Sequence, residues 1–228
     1  MLTAEPILVP AAREANPGLH SLFAPGPRLA AGMPLRLAGD GSAAVYRVEG
    51  GWCARTRLLP DGRAQIVDLL LPGDLIGLEA LDGGTPRDTV EALCDVRLGR
   101  CELSTLKAAM ANERVALDVA RHLLAKQEEM RGWIAVLGQG DARSRMAHLL
   151  VVAAERGGAD GSLLTLPMTQ QRLGELLGLT SVHVNRTVRM LREAGLATVT
   201  RGRAQIADRA GLERIARGYR GESALAAA

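Results

Sequence analysis

The chain has 228 residues, 47% of them hydrophobic, and a formal net charge of +3 at neutral pH. That is ample for a core and long for one small domain, so two domains are expected. Three cysteines, Cys53, Cys94 and Cys101, with no C-x-x-C pair, exclude a disulfide framework and fit a reducing cytosol. The sequence holds no 18-residue apolar run and no basic-then-apolar leader, so a soluble, cytoplasmic protein without a membrane partner is expected.

Charge is unevenly distributed. From Asp141 onward there are 13 Arg and no Lys against 8 acids, a net of +5, whereas the first 140 residues carry 15 basic and 17 acidic groups. An arginine-rich second part suits phosphate contact, because guanidinium is always charged and holds an oxyanion bidentately. Charge alone fits a solvated, Arg-rich surface better.

Residues 1–28, rich in Pro and Ala with weak periodicity, are expected to be poorly structured. Turn signals then recur about every ten residues, at Gly39–Ser42, Gly50-Gly51, Pro60–Gly62, Pro72–Asp74 and Asp82–Gly84. The strand-like runs between them are Ala43–Val48, Cys53–Leu59, Gln65–Leu71 and Thr89–Leu98. This punctuation predicts an antiparallel β-roll, jelly-roll-like, over 29–111. From the N-cap Asn112 one helix is predicted across 112–138. Ala116, Val119, Leu123, Lys126, Met130, Trp133 and Leu137 follow coiled-coil spacing, with one fault at Lys126. The seam reads as a homodimer interface or as packing on its own domain, and its three heptads between two domains favour the dimer. Gly132 weakens this helix by about 1 kcal/mol relative to Ala and marks a candidate bend. After Gly138-Gln139-Gly140, Asp141 caps a second helix to about Arg156. A loop at 157–161 follows, and 218–228 is expected to fray.

Met168–Asp208 carries the functional signal. Thr169 caps a short helix with Leu173, Leu176 and Leu177 on its core face. Gly178 then supplies the left-handed turn, Leu179 fills the angle, and Thr180 caps a second helix from Ser181 to about Ala194. On that helix Val184, Thr187, Val188 and Leu191 share a core face. Val182, Arg186, Arg189 and Glu193 lie opposite, with His183 and Asn185 on the flanks. A methyl group, an amide and guanidinium groups are the chemistries that read thymine, adenine and guanine edges. A two-stranded wing follows, Ala197–Thr200 and Ala204–Ile206, with Arg201 and Arg203 around Gly202 placed for backbone phosphates. The expected DNA-contacting set is therefore Thr180, Ser181, Val182, His183, Asn185, Arg186, Arg189, Arg201 and Arg203. Within it Arg186 is assigned to a guanine, and Asn185 to an adenine or a nearby phosphate.

The chain resembles the Crp/Fnr family over residues 29–217. The resemblance rests on Leu58-Leu59-Pro60-Asp61-Gly62-Arg63, on Leu71-Pro72-Gly73-Asp74-Leu75-Ile76-Gly77, and on the run from Leu177 to Arg186. It implies an α+β protein: a β-roll sensor, a long dimerisation helix, and a winged helix-turn-helix over 141–217. It further implies binding of double-stranded DNA at a palindromic operator and contact with RNA polymerase. In cyclic-nucleotide-binding members a Gly-Glu-Leu loop and an Arg-Ser or Arg-Thr pair cradle the ligand. Here the corresponding residues, Gly77, Glu79, Arg87 and Thr89, form a candidate effector pocket with the Glu displaced by one. Asp88 stands where a hydroxyl donor is wanted, and an ionised carboxylate repels phosphate. Cyclic nucleotide is therefore not expected to control the protein, Arg87 and Asp88 are expected as a surface ion pair, and the effector stays unassigned. No cofactor or metal is expected: the cysteines are too few for an iron–sulfur cluster, and His20, His122 and His148 fall in no recognisable haem pattern. No nucleophile–base pair, metal spacing or phosphate loop points to an enzyme. The rival reading is a winged helix that contacts protein rather than DNA.

Overall fold

A computed structural model describes residues 17–41, 43–156 and 162–217. Its first part comprises α1 (Pro17–His20), β1 (Ala24–Leu29), β2 (Pro34–Arg36), β3 (Ala44–Gly50), β4 (Cys53–Leu58), β5 (Ala64–Leu70), β6 (Leu75–Ile76), a 3₁₀ turn at Leu78–Asp82, β7 (Thr89–Ala92) and β8 (Val96–Glu102). Then come α2 (Leu103–Ala109), α3 (Glu113–Gln139), α4 (Ala142–Arg156), β9 (Leu163–Leu166), α5 (Gln170–Leu177), α6 (Ser181–Glu193), β10 (Ala197–Thr200), β11 (Gly202–Ile206) and α7 (Arg209–Arg217).

The strands of the first part form two four-stranded antiparallel sheets, β1-β8-β3-β6 and β2-β7-β4-β5. Their inner faces enclose Val48, Cys53, Leu70, Ile76, Val90 and Leu98. Because side chains alternate along a strand, other residues of the same strands serve the outer faces. Val45 and Cys101, paired across β3 and β8, meet Leu106 of α2 and Val115 and Val119 of α3. Ala54, Ile66 and Leu69 of the other sheet join a third cluster with Trp133 and Val136 of α3, Leu149 and Leu150 of α4, and Leu173 and Leu176 of α5. The second sheet therefore shares one apolar cluster with the C-terminal part of the chain.

Three sequence expectations need correction here. Residues 17–28 are ordered, since α1 and all of β1 but Leu29 fall within them and Leu19, Leu22 and Phe23 pack on the cluster beneath α3. The two prolines of β1 mask it in the sequence; it is an edge strand, where a missing N–H need not interrupt a ladder. Residues 1–16 and 218–228 lie outside the described residues. The run Thr89–Leu98 is two strands, because the chain crosses from one sheet to the other at Leu93-Cys94-Asp95. The crossing is tied by Leu93 N–H to Trp52 O at 2.8 Å and Trp52 N–H to Cys94 Sγ at 3.3 Å. Third, the wing has three strands, β10-β11-β9, since Leu163–Leu166 pairs with β11 and was hidden behind the 157–161 loop signal.

α3 begins where expected, with the Asn112 side chain accepting the Arg114 N–H at 2.9 Å, and passes through Gly132 without a break. Its predicted seam divides. Val119 and Trp133 are buried against the chain's own domains, and Lys126 is held among carboxylates. Leu123 and Met130 stay half-exposed and join Leu117, Leu124 and Ile134 in an outward apolar stripe. This exposed stripe is rotated by about one position from the predicted seam, because the β-roll and α4 cover part of the face that carries the heptad spacing. No helix among the described residues is long and apolar enough to cross a membrane.

Candidate nucleic-acid interface

α5 and α6 make the two-helix unit expected from the sequence. Thr169 Oγ1 accepts the Arg172 N–H at 3.2 Å, and Thr180 Oγ1 accepts the His183 N–H at 3.3 Å. Each cap satisfies an amide at the start of its helix that has no intrahelical acceptor. Gly178, at φ +65°, turns the chain between them. Gly174, which sequence reasoning passed over, sets how closely the helices approach: a Cβ there would lie 2.4 Å from Leu179 O.

α6 buries Val184, Thr187 and Leu191 and leaves Ser181, Val182, His183, Asn185, Arg186 and Arg189 exposed, with Val182 75% accessible. Arg189 lies 3.6 Å from Glu193. Among the described residues no carboxylate pairs with Arg186, or with Arg201 and Arg203 on the wing turn, all three exposed. An exposed helix N-terminal half with unpaired guanidinium groups beside it is an anion-facing surface. Asn185 is not free, since its amide is paired with that of Gln170.

The candidate effector pocket has a different order from the one expected. Glu79 pairs with Arg36, which is buried, and lies 3.7 Å from Arg55. Burial, followed by the neighbouring Arg55, lowers the Arg36 pKa from its ordinary value. Asp88 does not pair with Arg87: it is buried and takes both Nε and Nη2 of Arg57, at 2.7 and 3.0 Å, while Arg87 is exposed. The antiparallel pairing of β4 with β7 brings these partners together, a contact 31 residues apart that no local pattern reveals. Thr89 Oγ1 accepts the Ala38 N–H at 3.4 Å, and Gly77 adopts φ +103° at the start of the 3₁₀ turn. None of the four candidate residues lines the cavity of about 200 Å³ at the junction of the two parts, which is bounded by Trp52, Leu71, Cys94, Ala153, Arg156 and Leu164.

Two family models match the chain in the same order as its two parts: a cyclic nucleotide-binding domain over residues 27–113 and a Crp-like helix-turn-helix domain over 144–215. The nitrogen fixation regulation protein FixK of Rhizobium meliloti is 34% identical over 75% of this chain and 79% of its own length. The transcriptional regulator LdrP of Thermus thermophilus is 30% identical, over 79% and 91%. This chain belongs to the Crp/Fnr family. The structure of FixK2 from Bradyrhizobium japonicum superposes with a TM-score of 0.77 at 26% identity, covering 86% of this chain and 99% of that one. A CRP-family regulator of Thermus thermophilus gives 0.71 at 29%, covering 85% and 98%. The protein is thus a Crp/Fnr-type transcriptional regulator with a helix-turn-helix DNA-binding domain.

Sequence reading missed the device that joins the two parts of this Crp/Fnr regulator. Lys126 of α3 donates to Asp68 of β5 at 2.9 Å and lies 3.6 Å from Asp74 and 3.4 Å from Glu129. Arg156, the last residue of α4, donates to Asp74 at 2.7 Å and to Glu129 at 3.0 Å. Burial works against the charges of Lys126 and Arg156, but Asp74 and the other acids outweigh it and raise both pKa values. Burial raises the Asp68 and Glu129 carboxyls too, as expected where three acids face two cations. His122 stands at the edge of this group, its Nε2 accepting the Leu75 N–H at 3.3 Å, and burial lowers its pKa. Arg145 is a second tie: it donates to the carbonyls of Leu137, Gly140 and Leu177, joining the end of α3 to the end of α5. The Lys126 fault in the predicted seam was the one sequence signal that pointed here.

Proposed function

We propose that this regulator binds a two-fold symmetric operator in the cytoplasm as a homodimer, reads each half-site with α6, acts through RNA polymerase, and is not controlled by cyclic nucleotides. The observation that carries the reading is the capped, exposed first half of α6 with Arg186 unpaired and the wing arginines Arg201 and Arg203 beside it. Arg186 takes a guanine edge by its fork, Ser181, Val182 and His183 lie along the base edges, and Thr180, Arg189, Arg201 and Arg203 meet the backbone. The outward stripe of α3 supports the dimer: Leu124 and Ile134 are 64% and 69% exposed, alongside Leu117, Leu123 and Met130. Isologous packing of two such stripes removes that surface from water and sets two α6 helices on one side, for successive major grooves about 34–36 Å apart.

Against cyclic nucleotides stands the occupancy of the sensor interior. Glu79 is held by Arg36 and Arg55 and so is not free for a ribose hydroxyl, and Asp88, buried against Arg57, sets a carboxylate where a phosphate needs a donor.

The test is a shift assay with a pool of palindromic DNA across a salt series, with light scattering on the free protein. Retarded complexes whose affinity falls steeply with salt, formed by a dimer that Leu124→Asp splits, are expected. A monomer at micromolar concentration, or binding insensitive to salt, would overturn the reading. Cyclic AMP and cyclic GMP should leave the melting temperature unchanged; a rise at sub-millimolar ligand would reverse that part, because selective binding to the native state stabilises it.

A further inference from the structure

Gln170, the first residue of α5, and Asn185, in the second turn of α6, are joined by two reciprocal hydrogen bonds. Gln170 Nε2 donates to Asn185 Oδ1 at 2.6 Å, and Asn185 Nδ2 donates to Gln170 Oε1 at 2.8 Å. Both side chains are exposed on the proposed DNA-facing side. A carboxamide has a single edge on which N–H and C=O run side by side. Adenine is read through that edge, by a donor to N7 and an acceptor for N6–H. The cyclic amide pair uses the same edge on both residues. What is left on Asn185 is one N–H and one oxygen lone pair pointing in diverging directions, which can make single contacts but not a bidentate one.

We infer that Gln170 is a specificity-determining residue: it occupies the base-reading edge of Asn185 and removes adenine from what α6 can select at that position. The pair then faces the DNA as one unit and offers its outer N–H groups to phosphate oxygens. This rests on α6 being the helix that reads DNA, and it replaces the base contact that residue type alone suggests for Asn185. The capped start of α5 holds Gln170 in place, since Thr169 fixes the helix beginning one residue earlier.

The experiment is selection of bound sequences from a random DNA pool, followed by affinity measurement with each half-site position substituted in turn. The proteins compared are the native protein, Gln170→Ala, Asn185→Ala, the double variant and Arg186→Ala. Asn185→Ala should weaken all sequences alike by a few-fold and leave every base preference in place. Gln170→Ala should expose the Asn185 edge and create a new adenine preference of at least about fivefold at one position of each half-site. The double variant should lose that preference. An adenine preference in the native protein that Asn185→Ala abolishes would overturn the inference, because the pair would then open on DNA. So would Gln170→Ala binding with unchanged or uniformly reduced preferences. Both substitutions are at exposed positions, and thermal melts confirm that each variant is folded. Arg186→Ala separates the two levels: if it too leaves all preferences intact, the failure lies in assigning base reading to α6, not in the amide pair.

Discussion

The junction between the two parts and the DNA-facing side of α6 carry charge in opposite ways. At the junction Asp68, Asp74, Lys126, Glu129 and Arg156 are buried or half-buried and every one has an opposite charge within 4 Å. On α6 and the wing, Arg186, Arg201 and Arg203 are exposed and meet no carboxylate among the described residues. Water explains the difference. An unpaired buried charge costs several kcal/mol, so the junction compensates itself. An exposed guanidinium is solvated, and its partner can be supplied from outside. Buried pairing thus marks the arginines that fix the architecture, which composition cannot do.

The largest expected effect comes from breaking the junction. Arg156→Met leaves Asp74 and Glu129 with one cation fewer and should destabilise the protein by about 3–5 kcal/mol, read by urea unfolding. A loss below about 1 kcal/mol would mean that water reaches these groups and that the contrast with α6 is one of degree.

Next is the acid dependence of His148, which packs edge-on against Trp133 with ring centroids 4.7 Å apart. Burial lowers its pKa from 6.5 to about 4. On acidification the unfolded chain takes up this proton first, so the stabilisation is complete above pH 6.5 and is lost as pH falls towards 4. Roughly 2–3 kcal/mol of acid sensitivity should disappear in His148→Phe across that window. Asp68 and Glu129, with raised values, act in the opposite sense, so only the difference between native protein and variant isolates the histidine. Parallel stability curves for the two proteins between pH 6.5 and 4 would show His148 to be solvated.

On the reading side the effects are smaller and concern discrimination. Arg186→Ala should erase preference at one base pair per half-site, about 1–3 kcal/mol, with specific and random DNA measured in parallel. Arg203→Ala should weaken both alike and reduce the salt slope by about one. Equal losses for the two variants on both DNAs would collapse the division between base reading and phosphate contact.

The smallest effect is at Gly132. A Cβ there would meet His148 Cε1 at 3.4 Å, an ordinary contact, and α3 is continuous, so Gly132→Ala should raise stability by up to about 1 kcal/mol in thermal melts. A fall instead would mean that the α3–α4 contact tolerates no added methyl.

What could be read from sequence follows from how local each signal is. The caps Asn112, Thr169 and Thr180 and the turn at Gly178 act within four residues, and all appear where their residue types place them. The face of α6 followed from its period for the same reason. The outward face of α3 did not, because the β-roll and α4 decide which side is covered. Arg57 with Asp88, and Arg156 with Asp74, are contacts across 31 and 82 residues that only the pairing of β4 with β7 and the docking of α4 on the β-roll create. Asn185 shows the limit from another side: its chemistry was legible, but its partner on a neighbouring helix was not.

The apolar cluster that runs from Ala54, Ile66 and Leu69 through Trp133 to Leu173 and Leu176 bears on how the molecule comes apart. Domains joined by a thin linker melt one after another, each with its own midpoint. Here the helix-turn-helix shares its core with a sheet more than a hundred residues away in sequence, so loss of either side strips apolar surface from the other. Heating should therefore give one transition whose calorimetric and van't Hoff enthalpies agree. By the same token, a fragment beginning at Asp141 would keep α4 and α5 but leave uncovered the face of α5 that now rests on β5.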